Sequence, residues 1–268
     1  MRQSAVNPCR EHSVKSAVPR ALLLASIAGL ALASFPTPTA AETERVTRTF
    51  QIADGGTLRL DNFSGRVTIT GTSGSEVSVD ATRHGSPSQL ERVKLEITSD
   101  RSQVRIEANR RDPSWWGLWG RDDAVDTDFD IKVPRHINLN ITLFSASVNA
   151  SGIEGSHSIE SFSGRVVLDD VTGPIGVKSF SGPLEIRTAS WSDKERLEVE
   201  TFSGSVDLHI PDSAQGTVEF NSFSGRFRSA FPLTFQSNRR RRFVGQLGSG
   251  SPVGSVRVKS FSGNLSIN

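Results

Sequence analysis

The second half of the chain repeats one arrangement of apolar and polar positions. Residues 177–186 (VKSFSGPLEI), 199–208 (VETFSGSVDL) and 256–267 (VRVKSFSGNLSI) align on a shared Phe-Ser-Gly. Ahead of the glycine, apolar and polar residues alternate; behind it the alternation resumes on a shifted phase. Period-two alternation marks a half-buried strand. A glycine between two such runs marks a bend or bulge that needs φ > 0 or close backbone approach. Each unit therefore reads as a strand, a glycine corner, a second strand and a short turn such as 169–173 (DDVTG).

Phe-Ser-Gly begins at Phe63, Phe162, Phe180, Phe202, Phe223 and Phe261, with its glycines at Gly65, Gly164, Gly182, Gly204, Gly225 and Gly263. A degenerate Phe-Ser-Ala begins at Phe144, and Phe243 falls where a further degenerate copy is expected. From Phe144 the steps are 18, 18, 22, 21 and 38 residues, and the 81 residues between Phe63 and Phe144 leave room for about four more units. A two-strand unit cannot bury its apolar face alone, whereas stacked units can, at ~4.8 Å per layer. The expected fold is all-β: a β-solenoid or closely related stacked sheet of around ten units, on the order of 50 Å long. A β-sandwich is the alternative, because strands spaced at about 8–12 residues fit it too. An outer-membrane barrel fits poorly, since the chain has no tyrosine for aromatic girdles and ends in Asn268.

The N-terminus changes which residues count. Arg2, Arg10, Lys15 and Arg20 precede an apolar run over 21–35, followed by Pro- and Ala-rich residues 36–41. A basic lead, a short apolar stretch and a small-residue exit make a secretory signal peptide over 1–41. The run is too short for comfortable membrane spanning, which takes roughly 20 residues. No Arg-Arg pair precedes it, so the general secretory route is expected, to a periplasm, cell surface or the exterior. The leader carries four of the 31 basic and one of the 29 acidic residues, leaving 27 against 28. The mature charge gives no argument for nucleic acid. The one cysteine, Cys9, lies in the leader. The remaining domain, 42–268, must then be held by packing and backbone pairing without disulfides. It contains no second run of membrane-spanning length.

The order of motifs resembles a known family. Residues 55–71 (GGTLRLDNFSGRVTITG), 131–139 (IKVPRHINL), 208–214 (LHIPDSA) and 224–232 (SGRFRSAFP) follow one another as in the bacterial family of suspected adhesins with β-strand repeats. The resemblance runs from about Thr49 to Asn268 and implies a stacked β-repeat fold in a domain of unknown function. It brings no catalytic or ligand residues with it. One departure is consistent: where the family usually has a small or β-branched residue before Ser/Asn-Gly, this chain places Phe.

Two readings of that phenylalanine stay open. The rings turn inward at the corner and form core, or strict alternation sends Phe180 to the face opposite Val177 and Ser179, making an exposed aromatic stripe. A Trp-rich insertion over 110–126 carries Trp115, Trp116 and Trp119, which either contact a partner or fold back over an open end of the stack. An Arg/Gly-rich loop is expected over 236–252, and Arg239, Arg240, Arg241 and Arg242 within it either contact an anionic membrane surface or stay solvated. Glu160, Lys178, Glu200, Asn221 and Lys259 share one repeat position, and that variation predicts a solvated outward column.

Little points to catalysis. His84, His136, His157 and His209 are scattered, with no short metal spacing. Asp122-Asp123 and Asp169-Asp170 are the local acidic pairs, and turns favour Asp anyway. No Gly-x-Ser-x-Gly elbow occurs. No cofactor or metal is expected. The reading is a non-enzymatic exported envelope protein, an adhesin-like binding scaffold for a surface, glycan or protein partner. A second class is a structural protein that self-associates through its end strands, capped by the Trp segment or by residues 265–268. A third is a polysaccharide-active enzyme, which would need paired acids or a metal cluster.

Overall fold

In the computed structural model the described residues are 42–111, 124–193, 195–239, 241–250 and 253–268. Residues 1–41, expected as a leader, and most of the Trp-rich insertion lie outside them. The chain opens with β1 (Glu42–Gln51), β2 (Thr57–Thr72), β3 (Glu76–Gly85), a short helix α1 (Pro87–Arg92), β4 (Val93–Ser99), β5 (Gln103–Arg111) and β6 (Asp126–Pro134). Next come β7 (Asn138–Ser151), β8 (His157–Ser163), β9 (Val166–Val171), β10 (Ile175–Ser181), β11 (Leu184–Thr188), β12 (Arg196–Thr201) and β13 (Val206–His209). The last third holds β14 (Gly216–Ser222), β15 (Phe227–Ser229), β16 (Leu233–Arg239), β17 (Arg242–Leu247), β18 (Gly254–Ser260) and β19 (Leu265–Ile267). Among the described residues no helix is long and apolar enough to cross a membrane.

The strands wind into a two-faced solenoid whose coils pair in parallel, and Phe-Ser-Gly is the corner between the faces. On one face the first half of β2 pairs with β5 and with β7, followed by β8, β10, β12, β18 and β14. On the other face the second half of β2 lies between β6 and β7, followed by β9, β11, β13, β19 and β15. Alternation sends Leu60, Ile141, Ile159, Val177 and Val199 inward from one face, and Ile69, Leu168, Ile186 and Leu208 from the other, all at 0–1% exposure. Each such side chain contributes roughly 1.5–3 kcal/mol by leaving water. Among the described histidines only His157 is buried; its Nε2 lies 3.1 Å from the Thr172 carbonyl, and burial lowers its pKa.

Several expectations need correction. Among the described residues the stack has eight coils rather than about ten. The stretch between Phe63 and Phe144 adds one coil, β5 and β6, with antiparallel arms on it: β4 on β5, β3 on β6, and β1 on β3. The segment expected as a loop over 236–252 is largely a hairpin, with β17 antiparallel to both β14 and β16. Its arginines and glycines conceal an alternation that buries Phe243 and Leu247. Phe243 is therefore no repeat copy; it packs on Phe227 at 4.3 Å, away from the corner. Nor do residues 265–268 cap the stack. The C-terminal coil, β18 and β19, is threaded between β12–β13 and β14–β15, and both of its strand edges are paired.

The corner glycine is required by close approach. A Cβ on Gly182, where φ is +121°, would sit 2.1 Å from the Gly164 carbonyl oxygen. One on Gly204 would sit 2.2 Å from the Gly182 oxygen, one coil further on. Gly182→Ala should therefore cost about 2–5 kcal/mol in strain and forced displacement. Gly74→Ala, where a Cβ finds no heavy atom closer than 3.7 Å, should change stability by less than about 0.5 kcal/mol. Urea unfolding of the two variants measures the difference, and equal midpoints would contradict the stacked corner.

Candidate functional site

The alternation runs unbroken through the phenylalanine, and the bend comes after it. In β10, Ile175, Val177 and Ser179 point inward while Lys178 and Phe180 point out. The column is therefore the exposed stripe and not core: Phe63 is 39% exposed, Phe180 47% and Phe223 51%, with the other four at 46–47%. The residue that turns inward at the corner is the one before the ring, small and polar at every ring but Phe144, which follows Leu143. Thr201 Oγ1 accepts the Gly204 N–H at 2.9 Å, and Ser222 Oγ and Ser260 Oγ accept those of Gly225 and Gly263 at 2.7 and 2.5 Å.

The rings stack in coil order, which is not chain order. Phe63, Phe144, Phe162, Phe180, Phe202, Phe261 and Phe223 follow one another at centroid spacings of 4.8–5.0 Å and interplanar angles of 1–11°. Phe261 stands between Phe202 and Phe223 because the C-terminal coil is threaded there. Each ring covers the face of the next, so the stripe shows solvent its ring edges. Beside it, the serine hydroxyls of Ser163, Ser203 and Ser262 reach the carbonyls of Phe144, Phe180 and Phe202 at 3.4–3.5 Å.

At the Phe223 end of the ladder the Arg241 guanidinium lies 3.9 Å from the ring centroid, a cation–π contact. Neighbouring Arg242 bonds Glu219 through Nε at 3.0 Å. Arg239 ends β16, and Arg240 lies outside the described residues. Of the four arginines, the structure thus brings Arg241 to the aromatic stripe, a link the sequence pattern did not reveal.

Two residues before each ring runs the outward column expected from the repeat. In coil order it reads Asp61, Thr142, Glu160, Lys178, Glu200, Lys259 and Asn221, with Arg242 next on the antiparallel arm. Lys178 Nζ lies 3.0 Å from Glu160, and Lys259 Nζ lies 2.7 Å from Glu200. The bond to Glu160 raises the Lys178 pKa, and the bond to Lys259 lowers that of Glu200. These pairs are exposed, so each contributes about 0–1 kcal/mol. A further column holds Glu198, Arg257 and Glu219, with Arg257 3.7 Å from Glu198 and 3.3 Å from Glu219. Ring sides and charged column together bound a shallow open groove of about 870 Å³, running from Thr142 to Arg241.

The other candidates do not converge. His84 lies near Asp128, and His136 near Glu154. Asp169 and Asp170 face different arginines, Arg187 and Arg135. Among the described residues no group of three or more His, Cys, Asp or Glu side chains could hold a metal ion. Asp122, Asp123, Trp115, Trp116 and Trp119 lie outside the described residues.

The ladder's energetics follow from stacking on both faces with half-burial at the edge. Phe202→Ala removes two stacked contacts, each worth about 0.5–1.5 kcal/mol, so a total loss of about 1–3 kcal/mol is expected. Phe63→Ala removes one of the two and should cost about half as much. Paired denaturation curves test this; equal losses at the two positions would contradict a ladder, and a loss above about 4 kcal/mol would indicate full burial.

The Toastrack DUF4097 family model matches residues 53–268. Among solved structures, a protein from Clostridium sporogenes named for a suspected role in cell adhesion shares 11% identity, with a TM-score of 0.50, over 84% of this chain and 99% of that one. A suspected adhesin from Bacteroides fragilis shares 12% identity, with a TM-score of 0.41, over 84% of this chain and 97% of that one. A suspected lipid-binding protein from Parabacteroides distasonis shares 10% identity, with a TM-score of 0.30, over 84% and 97%. No curated protein matches the chain. At such identities the likeness to solved structures concerns the fold alone. With the family model spanning all eight coils, the chain belongs to the Toastrack DUF4097 family.

Proposed function

We propose that this protein is a non-enzymatic, exported envelope protein, an adhesin-like scaffold that holds a partner against its phenylalanine-ladder face. The observation that carries the reading is the line of seven half-exposed rings on one flat sheet face. Isolated exposed apolar side chains are ordinary, but a contiguous apolar stripe rimmed by charge is the signature of an interaction surface. Nothing in the packing requires large apolar side chains at these positions, since the core is complete beneath them. The C. sporogenes structure is itself named for suspected cell adhesion, which agrees with this reading.

The geometry also favours one partner class. Sugar rings stack on aromatic faces, and here every face inside the ladder is covered by the next ring. What remains is a ridge of ring edges beside alternating charges, which suits a protein surface with its own apolar line and matching charges better than a glycan. The alternating charges and near-neutral mature chain likewise offer no continuous basic track for a nucleic acid.

Export rests on the leader. Residues 1–41 fused to alkaline phosphatase should give an enzyme active outside the cytoplasm; an inactive, retained fusion would remove the envelope assignment. Contact through the ladder predicts that labelled exported protein binds envelopes of its own bacterium. Phe180→Ser with Phe202→Ser should weaken that binding about tenfold or more while the fold, checked by circular dichroism, persists. Undiminished binding would move the contact elsewhere, to the segment with Trp115, Trp116 and Trp119. Sugar release from envelope polysaccharide would instead support the enzyme class.

A further inference from the structure

From Asp61 to Arg242 the charged column beside the ladder reads the same, with sign exchanged, from either end; Glu107, the partner of Asp61 on β5, lies beyond that span. Consider a two-fold axis along the strands, midway between the coils of Lys178 and Glu200. It sets Lys178 against Glu200 of a second copy, Glu160 against Lys259, and Asp61 against Arg242; the uncharged Thr142 meets Asn221. The next column outward is matched by size. Its first half carries the small residues Asn140, Ser158 and Gly176, and its second half the long Glu198, Arg257 and Glu219. The same axis places each small residue opposite a long one, and no two like charges meet. The ladders then run edge to edge, Phe180 on Phe202, Phe162 on Phe261 and Phe144 on Phe223.

From this we propose that the ladder face is a self-recognition surface, on which a second copy of this chain docks antiparallel about that two-fold axis. The inference rests on reading the face as a contact surface and names its occupant. Alternatives fit less well. With the stacks parallel the strands run in opposite directions across the contact, so an axis along the charged column puts Glu160 on Glu160 and Lys178 on Lys178, which is costly, and an axis along the ladder leaves the charged column without a partner. Shifting the axis by one coil toward the N-terminus brings Arg59 onto Arg257. Shifting it by one coil the other way loses a ring pair. A face of eight coils at ~4.8 Å by strands of ~20 Å offers roughly 800 Å² per copy, the usual size for one side of a specific interface. Two-fold interfaces are self-complementary by construction, which is the property these columns have.

Two variants of the full exported chain test it. Glu160→Lys with Glu200→Lys makes the four central charges of the column all basic; Lys178→Glu with Lys259→Glu makes them all acidic. Each replaces exposed side chains, and thermal melts verify the fold. By sedimentation velocity across the micromolar to submillimolar range, the parent should form a reversible dimer. Each variant alone should dimerise about 30-fold or more weakly, and their equimolar mixture should recover the parent's affinity within about threefold. Phe180→Ser with Phe202→Ser should weaken the parent dimer as well. A parent monomeric throughout that range overturns the proposal. So does a dimer indifferent to the charge variants, or a mixture that fails to pair. A monomer that still binds envelopes through Phe180 and Phe202 overturns self-docking while leaving the contact-face reading intact. A charge-dependent dimer with no envelope binding supports self-docking as the sole use of the face.

Discussion

Parallel backbone hydrogen bonding from coil to coil, ~4.8 Å per layer, is the constraint on which the rest of this structure depends. It keeps equivalent positions in register, so any residue type that recurs in the repeat becomes a column. Apolar columns pointing inward make the core. Outward columns must be compatible with their own repetition at that spacing. Phenylalanine satisfies this, because rings 4.8–5.0 Å apart and nearly parallel stack on one another. Charged residues satisfy it best by alternating in sign, as Glu160, Lys178, Glu200 and Lys259 do, since like charges directly across a strand pair destabilise it.

The same spacing explains the division of labour in Phe-Ser-Gly. The glycine lies where successive corners come closest, with the carbonyl of the coil below occupying the place of a side chain. The backbone makes this turn in two ways. At Gly65, Gly164 and Gly182 the corner has positive φ, whereas Gly204, Gly225 and Gly263 are braced by a hydroxyl from the residue before the ring. Both corners leave the ring outside, because the turn follows it. The threaded ends complete the stack. The coil of β2 and the coil of β18 and β19 each lie between two others, so the described domain's first coil and last coil are both held inside the sheet rather than at its margins.

Columns were legible in the sequence because they depend on period and register, which the recurring tripeptide displays. Hence the all-β solenoid, the two-strand unit and the solvated column of residues 160, 178, 200, 221 and 259 could be read directly. Spatial order was not legible. Nothing in the alternation of 254–260 says that it pairs with both 196–201 and 216–222, so the neighbour of Phe202 in the ladder could not be told from chain order. Strand direction was equally hidden, because alternation is identical in parallel and antiparallel pairs; this is why the stretch between Phe63 and Phe144 reads as room for about four units and 236–252 as a loop. The direction of the rings hung on one detail, whether the corner absorbs a residue before or after Phe. Strict counting through Ser179 contained the answer, but a glycine bend weakens such counting across it.

These features together explain how an aromatic stripe can stand exposed without making the face indiscriminately adhesive. The stripe is one ring wide, with serine hydroxyls on its corner side and alternating carboxylates and ammonium groups on the other. A random apolar surface approaching it must desolvate those charges without pairing them, which costs more than a single line of ring edges returns. A surface carrying the complementary alternation at the same spacing avoids that cost and gains the apolar contact as well. A contact made through this face, as proposed, would take its specificity from the charged columns and its apolar area from the rings. The repeat that generates both also supplies a spacing match, because another stack of the same coils presents charges at ~4.8 Å intervals over the same length.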